Sequence, residues 1–149
     1  MITLVILAAG VFLSKILGLL GVEALDSWVV ATRLGLALMF LFTASAHFTS
    51  MRHDLTRMVP PWMPRPGTVV VLTGFCEILG ALGLLLPPTR TAAAVAPVVF
   101  LIAVFPANVH AARAKVTLRG KPATGLPLRL PMQILFIVLI WWSCLASRA

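Results

Sequence analysis

The sequence predicts an all-α, polytopic membrane helix bundle, and three observations indicate this fold class. The chain is 60% hydrophobic and 11% charged, with a mean hydropathy of +1.05, unlike a soluble domain. Five apolar stretches approach the length of about 20 helical residues that crosses a hydrocarbon layer about 30 Å thick. They are residues 2–22, 28–48, 69–87, 91–111 and 130–146. Their continuous aliphatic runs lack the period-two alternation of a membrane β-barrel.

The domain organisation follows from the gaps between these stretches. The longest gaps, residues 49–68 and 112–129, leave little room for a soluble domain, so residues 1–149 are expected to form a single integral membrane domain. The first stretch lacks the basic amino-terminal region of a secretory signal, and its only cation, Lys15, lies deep inside the apolar run. We therefore expect it to be retained as a transmembrane helix.

The formal net charge of +8 is divided unevenly between the two predicted sides of the membrane. One side carries Arg52, Arg57, Arg65, Arg113, Lys115, Arg119, Lys121 and Arg129, and the other carries Arg33, Arg90 and Arg148. The positive-inside rule then predicts a multi-pass protein of the cytoplasmic membrane, with the N-terminus in the cytoplasm and the C-terminus outside. We expect the basic loops to contact anionic lipids of the bilayer rather than nucleic acid.

Residues at the edges of the second span support its boundaries. Ser27 is a candidate N-cap, and Trp28 follows at the depth where membrane proteins place aromatic rings. After this span, "MVPPWMPRPG" (58–67) contains four prolines, which remove backbone donors and fix φ. We expect a rigid elbow there, with Trp62 at the level of the lipid headgroups.

Prolines and glycines predict the remaining connections. "PPTR" (87–90) is a tight turn, which makes the third and fourth helices antiparallel neighbours. Pro106 predicts a kink near the cytoplasmic end of the fourth helix. The basic segment "TLRGKPATGLPLR" (117–129) predicts a solvated connector, and Pro131 is expected in the first turn of the fifth helix.

Glu77 interrupts the apolar run "TGFCEILGALGLLLP" (73–87). A charged carboxylate near mid-bilayer costs at least about 2.5 kcal/mol on insertion scales, so Glu77 is expected to face the bundle interior. Residues at helical spacing from it form a stripe of mostly small side chains, namely Thr73, Gly74, Gly80, Ala81 and Leu84. Such a stripe lets a neighbouring helix approach closely. Two interpretations stay open: Glu77 handles a ligand or proton, or it only fixes helix register through a hydrogen bond.

Lys15 is a candidate partner of Glu77, because it is the other charge well inside an apolar stretch. Counted from the predicted cytoplasmic ends of their helices, the two residues differ in depth by roughly 7 Å at 1.5 Å per residue, which their side chains can bridge. Alternatively, Glu77 pairs with a cation of a partner protein.

A second group of polar residues is predicted near the cytoplasmic helix ends. It consists of His47, Asn108, His110, Arg129 and Gln133. Arg129 and Gln133 are four residues apart and share one helix face, and the group is expected to line a polar vestibule that leads to Glu77. The alternative is that polar side chains collect at helix ends because water and headgroups are there.

No metal site is predicted, and no enzymatic activity is assigned. A bis-histidine site of His47 and His110 is geometrically allowed, but HxxxH and CxxC spacings are missing. Glycine-rich nucleotide loops, a GxSxG elbow and paired carboxylates are missing as well. Cys76 and Cys144 differ in depth by about 10 Å, too far for a disulfide, and both are expected to be small buried hydrophobes.

Five motifs resemble the DoxX-like family of small integral membrane proteins in their order and spacing. They are "RLGLALMFLFTASAHF" (33–48), "VPPWMPRP" (59–66), "TGFCEILGALGLLLP" (73–87), "VFPANVH" (104–110) and "LPLRLPMQILFIVLIWW" (126–142). The resemblance implies a four-helix membrane bundle over residues 28–149, with His47, Gly74 to Glu77 and Pro106 to Asn108 as recurring polar positions. Residues 1–27 then form an additional N-terminal helix.

The resemblance also implies a functional context. The DoxX-like family is named for a small subunit associated with a quinone-linked oxidase or thiosulfate:quinone oxidoreductase system. Other members look like assembly or accessory factors of membrane complexes. Resemblance to this family implies the fold more securely than the function.

Two functional hypotheses result. In the first, the protein is an accessory subunit of a redox or respiratory system, and a quinone headgroup meets Glu77 while His47 and Asn108 give hydrogen bonds. No side chain here carries electrons, so this hypothesis needs a separate membrane redox complex. In the second, the protein is a non-enzymatic assembly or scaffolding factor. Association with further copies of the chain is compatible with both. The candidate site residues are Glu77, His47, Asn108, Thr73, Gln133 and Lys15.

Overall fold

The computed structural model describes residues 2–118 and 120–145, and these residues are almost entirely helical. The helices are α1 (Ile2–Leu19), α2 (Trp28–Phe48), α3 (Met51–Met58), α4 (Pro66–Leu85), α5 (Arg90–Ala103), α6 (Phe105–Arg113) and α7 (Leu126–Leu145). Short 3-10 turns at Glu23–Leu25 and Pro87–Thr89 lie before α2 and α5. Strands β1 (Thr117–Leu118) and β2 (Lys121–Pro122) form an antiparallel hairpin, with Thr117 opposite Pro122.

Within residues 2–118 and 120–145, five helical stretches are long and apolar enough to cross a membrane, namely α1, α2, α4, α5 together with α6, and α7. Their outer faces are apolar: on α4, for example, Leu72, Leu79 and Leu82 are exposed while Gly74 and Ala81 are buried. Apolar side chains on such a surface contact lipid rather than water, so their exposure has no hydrophobic cost. The chain is therefore a polytopic membrane helix bundle, as the sequence predicts.

Helices α2, α4, α5 and α7 form a closed ring. In this ring α2 packs on α4, α4 on α5, α5 on α7, and α7 on α2, whereas α1 lies outside and packs on α2. Helix α2 is consequently the most enclosed element, with α1, α4 and α7 around it. The four-helix bundle with one additional N-terminal helix is the arrangement that the sequence predicts.

The two ends of the ring differ in chemistry. At the end where α2 begins and α4 and α7 terminate, a tight apolar core contains Leu36, Phe40, Leu84 and Ile140, each at most 2% exposed. We call this the apolar end. The opposite end carries α3, α6 and the β-hairpin, whose Met58, Ala111 and Val116 form a second, smaller cluster with Leu55 and Leu118. We call it the basic end, because most of the arginines and lysines lie there.

Glycine permits a close helix approach between α1 and α2. A Cβ atom on Gly35 would lie 2.7 Å from the carbonyl oxygen of Leu7, and one on Gly10 would lie 2.8 Å from the Cα atom of Gly35. Both distances are below any ordinary carbon contact, so only glycine fits. Membrane helices associate through such small-residue contacts because lipid provides no hydrophobic force between them.

Several boundaries differ from the sequence prediction. Residues 51–58, expected within a connecting loop, form α3; its Met51, Leu55 and Met58 recur at helical spacing, a short period that a span-length hydropathy window averages away. Helix α4 begins at Pro66 rather than residue 69, because proline is pre-organised for the first helical turn. The expected elbow is confined to residues 59–65.

The last two spans also differ in detail. The fourth is divided at Val104, just before Pro106, so the kink expected from Pro106 is present as a break between α5 and α6. Helix α7 begins at Leu126, which places Pro131 inside the helix rather than in its first turn. The 117–129 connector contains the β-hairpin, with Gly120 at a φ of 73° in its turn.

The expectation that both cysteines are buried is wrong for one of them. Cys144 is 2% exposed and belongs to the apolar core, but Cys76 is exposed on the outer face of α4. Neighbouring positions on a helix point about 100° apart. Because Glu77 faces inward, its neighbour Cys76 is turned toward lipid.

Candidate functional site: a buried histidine–glutamate pair

Glu77 faces the interior of the ring, as predicted. On the same helix, Gly74 contacts α2, and a Cβ atom on Gly80 would lie 3.4 Å from Pro97 of α5. At about 100° per residue, Glu77 lies between these two directions and so points between α2 and α5. Its side chain is only 13% exposed. The carboxyl group is therefore held inside the bundle and away from lipid.

His47 lies directly beside this carboxyl group. Its Nε2 atom is 3.6 Å from Oε2 of Glu77, and its side chain is likewise 13% exposed. This distance is just beyond hydrogen-bonding range. Oε2 is buried and has no hydrogen-bond partner among the described residues. The two groups thus form a closely spaced acid–base pair in which one oxygen is free to bind a further donor.

The ring orientation of His47 is fixed from the other side. Its Nδ1 atom lies 2.7 Å from the carbonyl oxygen of Val70. A carbonyl oxygen only accepts, so Nδ1 is assigned the proton that it donates. Nε2 then remains as the nitrogen that gains or loses a proton, and it is the nitrogen that faces Glu77.

Two threonine hydroxyls complete the surroundings of the pair. Thr73 donates from Oγ1 to the same Val70 carbonyl oxygen over 2.8 Å, and its Oγ1 lies 3.2 Å from Nδ1 of His47. Thr43, one helical turn from His47 on α2, donates its hydroxyl to the carbonyl oxygens of Met39 and Phe40, and its side chain is close enough to Glu77 to influence that carboxyl group. Thr73 is therefore a positioning residue for His47. Thr43 was not among the sequence candidates, although its i, i+4 spacing from His47 is a signal for it.

Gly74 sets the distance between the two helices of the site. A Cβ atom there would lie 2.7 Å from Cβ of His47 and 3.0 Å from the ring of Phe48. Any larger residue would push α2 away from α4. Phe48 in turn contacts Phe75 edge to face, with the ring centroids 5.3 Å apart, and both rings are half-exposed.

A second polar cluster lies between the fourth span and α7. Arg129 donates from Nη1 to Oδ1 of Asn108 over 2.5 Å. One turn further along α7, Gln133 donates from Nε2 to the carbonyl oxygen of Leu101 over 3.0 Å. Leu101 is in the last turn of α5, where carbonyl oxygens lose their helical partners. The Arg129–Asn108 and Gln133–Leu101 bonds thus hold α7 against the broken fourth span.

The structure divides the predicted vestibule residues into separate places. His47 and Glu77 lie between α2 and α4, whereas Asn108, Arg129 and Gln133 lie across the ring, between α5, α6 and α7. His110 belongs to neither group, because it faces the elbow at the surface of the basic end. Asn108 and His110 are two residues apart and point to different sides of α6.

Lys15 is not the partner of Glu77, and that pairing hypothesis is wrong. Its Nζ atom lies 2.6 Å from Oδ1 of Asp26 and also bonds the Asp26 carbonyl oxygen. The same ammonium group lies 5.1 Å from the ring centre of Trp28. Lys15 is near the C-terminal end of α1, where Asp26 is close, whereas Glu77 lies on α4 and pairs with α2.

Arg33 is a buried charge, although the charge pattern of the sequence predicts an ordinary cation on the outer side of the membrane. It is 4% exposed and donates from Nε (2.9 Å) and Nη2 (2.6 Å) to the carbonyl oxygen of Ser143. This carbonyl lies in the last turn of α7, where the helix dipole favours a cation. Its position five residues inside an apolar span is the sequence feature that could have indicated this burial.

The described residues contain no group of three or more His, Cys, Asp or Glu side chains that could hold a metal ion. What the fold and the site define is a small polytopic membrane protein with an internal histidine–glutamate pair. Residues 36–144 match the family described as Domain of unknown function (DUF8561), and the chain belongs to this family. The match includes both polar clusters and leaves α1 outside. No curated protein matches the chain. No solved structure matches it either.

Proposed function

We propose that the protein is a small accessory membrane protein of a quinone-linked redox system, in which His47 and Glu77 exchange a proton with a lipophilic ligand. The observation that carries the proposal is the free Oε2 of Glu77, buried 3.6 Å from Nε2 of His47. Such intramembrane ionisable groups mark functional sites by default. The quinone-linked context is proposed from the resemblance of the sequence motifs to the DoxX-like family, since the description of the matched family names no function.

The pair is suited to hold one proton in either of two places. With the proton on Nε2, His47 is cationic beside a carboxylate; with the proton on the carboxyl oxygen, both groups are neutral. The hydrogen bond from Nδ1 to Val70 keeps the ring in place in both states. A quinone takes up protons when it is reduced and releases them when it is oxidised, so a buried acid–base pair is an appropriate partner.

The apolar end of the ring supports local proton exchange at the pair rather than conduction across the membrane. The polar side chains of both clusters lie between the basic end and the middle of the ring, which Glu77 occupies on α4. The other half is closed by Leu36, Phe40, Leu84 and Ile140. The buried Arg33 and Ser143 lie beyond these apolar side chains, at the start of α2 and the end of α7. We propose that the protein lies in the cytoplasmic membrane with its basic end facing the cytoplasm, since most of its positive charges are at that end.

The experiment is native purification in mild detergent, followed by mass spectrometry of bound quinones, lipids and proteins. The wild-type protein is expected to retain a quinone, and Glu77→Gln is expected to fold and lose it. Glu23→Gln, an exposed carboxylate outside the ring, is the matched control. Absence of any quinone from the wild-type protein, together with normal respiration in cells that lack it, would overturn the proposal.

A scaffolding role is the second candidate function, and one observation favours it. Two surface hollows lie away from Glu77, one along Ile137, Trp141 and Leu145 of α7 and the other between the elbow and α6. Under this candidate Glu77 pairs with a cation of a partner. The same purification distinguishes the two: a stoichiometric partner protein without quinone supports scaffolding.

A further inference from the structure

A shallow cleft of about 360 Å³ lies at the basic end, outside the histidine–glutamate site. One wall is the proline elbow of Pro60, Pro61 and Trp62, and the other is α6 with Phe105 at its start. The indole of Trp62 is 71% exposed. An exposed tryptophan at the end of a membrane bundle belongs at the level of the lipid headgroups.

The α6 wall changes from apolar to cationic along its length. Pro106, Val109, His110 and Arg113 line the cleft, and their spacing of three and four residues puts them on one helix face. Pro106 lies toward the middle of the bundle and Arg113 toward its end. The seven intervening steps span roughly 10 Å at 1.5 Å per residue. A ligand in this cleft meets hydrocarbon-like groups first and a guanidinium group about 10 Å further out.

The charge around the cleft favours an anion. Within the described residues, the segments 49–68 and 113–125 of the basic end carry one acid, Asp54. Their cations are Arg52, Arg57, Arg65, Arg113, Lys115 and Lys121. Polybasic surfaces beside a membrane attract anionic lipid headgroups. We propose that the cleft between the elbow and α6 binds an anionic phospholipid, with the phosphate at Arg113 and His110 and an acyl chain along Val109 and Pro106.

The amphipathic wall is the reason for preferring a phospholipid to a soluble anion. A free phosphate or a nucleic acid uses only the cationic end and gains nothing from Pro106, Val109 or the proline elbow. A phospholipid uses both ends and is already present at this depth. Arginine also bonds phosphate oxygens in a bidentate manner, which lysine cannot do.

The test measures which lipid is in contact with Trp62. In a variant with Trp28, Trp141 and Trp142 replaced by phenylalanine, Trp62 is the remaining tryptophan. This protein is reconstituted in vesicles that contain a fixed fraction of brominated phosphatidylglycerol or brominated phosphatidylcholine, with the bromines near the ester end of the acyl chain. We expect the cleft to bind the anionic phosphatidylglycerol about fivefold more strongly than phosphatidylcholine. Quenching of Trp62 fluorescence by the bromines measures this preference.

Two variants and one control make the outcome specific. Arg113→Ala is expected to abolish the preference, and Val109→Phe is expected to reduce quenching by either lipid because the ring fills the apolar part. Lys121→Ala removes an equal charge from the hairpin outside the cleft and is expected to keep the preference. Equal quenching by the two lipids, or loss of the preference in Lys121→Ala to the same extent as in Arg113→Ala, would show a diffuse charge effect and overturn the proposal.

Discussion

The Nε2 atom of His47 lies 3.6 Å from Oε2 of Glu77, inside the ring of α2, α4, α5 and α7. His47 is the second-last residue of α2, whereas Glu77 is in the middle of α4. They meet because α3 and the elbow return the chain alongside α2, so that α4 passes the end of α2. The pair is therefore a product of this connection as much as of the two side chains.

Direct coupling between His47 and Glu77 is expected in a double-mutant cycle. His47→Gln and Glu77→Gln, alone and together, are expected to show an interaction energy of about 1 kcal/mol in unfolding from mixed micelles. The physical reason is that each residue stabilises the charged or hydrogen-bonded form of the other. The same cycle between His53 of α3 and Glu77 serves as control and is expected to give none. An interaction energy of zero for the first pair would mean that the two groups share no proton.

Gly74→Ala is expected to destabilise the protein by about 1–3 kcal/mol, because the new methyl group overlaps His47 and forces α2 away from α4. Unfolding in mixed micelles measures this change. Gly67→Ala is the matched control in the same helix: its Cβ atom would meet only the Arg52 side chain, at 3.7 Å. Equal stability of both variants would contradict the close approach at Gly74.

Thr73→Val is expected to make the ring orientation of His47 less well fixed. The variant lacks the hydroxyl that contacts both the Val70 carbonyl oxygen and Nδ1 of His47. The loss of one such hydrogen bond costs about 1 kcal/mol. Nitrogen chemical shifts of His47 report the tautomer, which is expected to change from mainly Nδ1-protonated to a mixture. Thr73→Ser keeps the hydroxyl and is expected to restore the wild-type shifts. Unchanged His47 shifts in Thr73→Val would show that Thr73 does not position His47.

Arg33→Met is expected to cost about 2 kcal/mol, since two hydrogen bonds from a buried charged group to the Ser143 carbonyl oxygen are lost. Lys15→Met removes another cation near the same end of the bundle but breaks an ion pair whose Asp26 partner is 60% exposed. Such pairs contribute about 0–1 kcal/mol. Denaturation of the two variants side by side measures the difference. If Lys15→Met were the more destabilising, the assigned role of Arg33 would be wrong.

Composition was sufficient to predict the spans, and helical spacing was sufficient to predict which way Glu77 faces. Both depend on local rules: an apolar helix of about 20 residues crosses the bilayer, and an acid avoids lipid. The partner of Glu77 could not be predicted in the same way. Lys15 was a candidate partner only because its predicted depth in the membrane is close to that of Glu77. Depth does not specify which helices are neighbours around the ring. The burial of Arg33 was missed because the sequence does not show that the last turn of α7 lies beside it.

By itself, the sequence determined that this protein is a bundle of apolar helices with one acid turned inward and most of its cations at one end. Residue type and period along one helix suffice for those features, because each is decided by the contrast between lipid and water. Only the tertiary structure decided that His47 faces Glu77, that Lys15 pairs with Asp26, and that Asn108 and Arg129 form a separate cluster. These pairings depend on the order of helices around the ring and on backbone approaches such as that at Gly74, which several distant segments determine together.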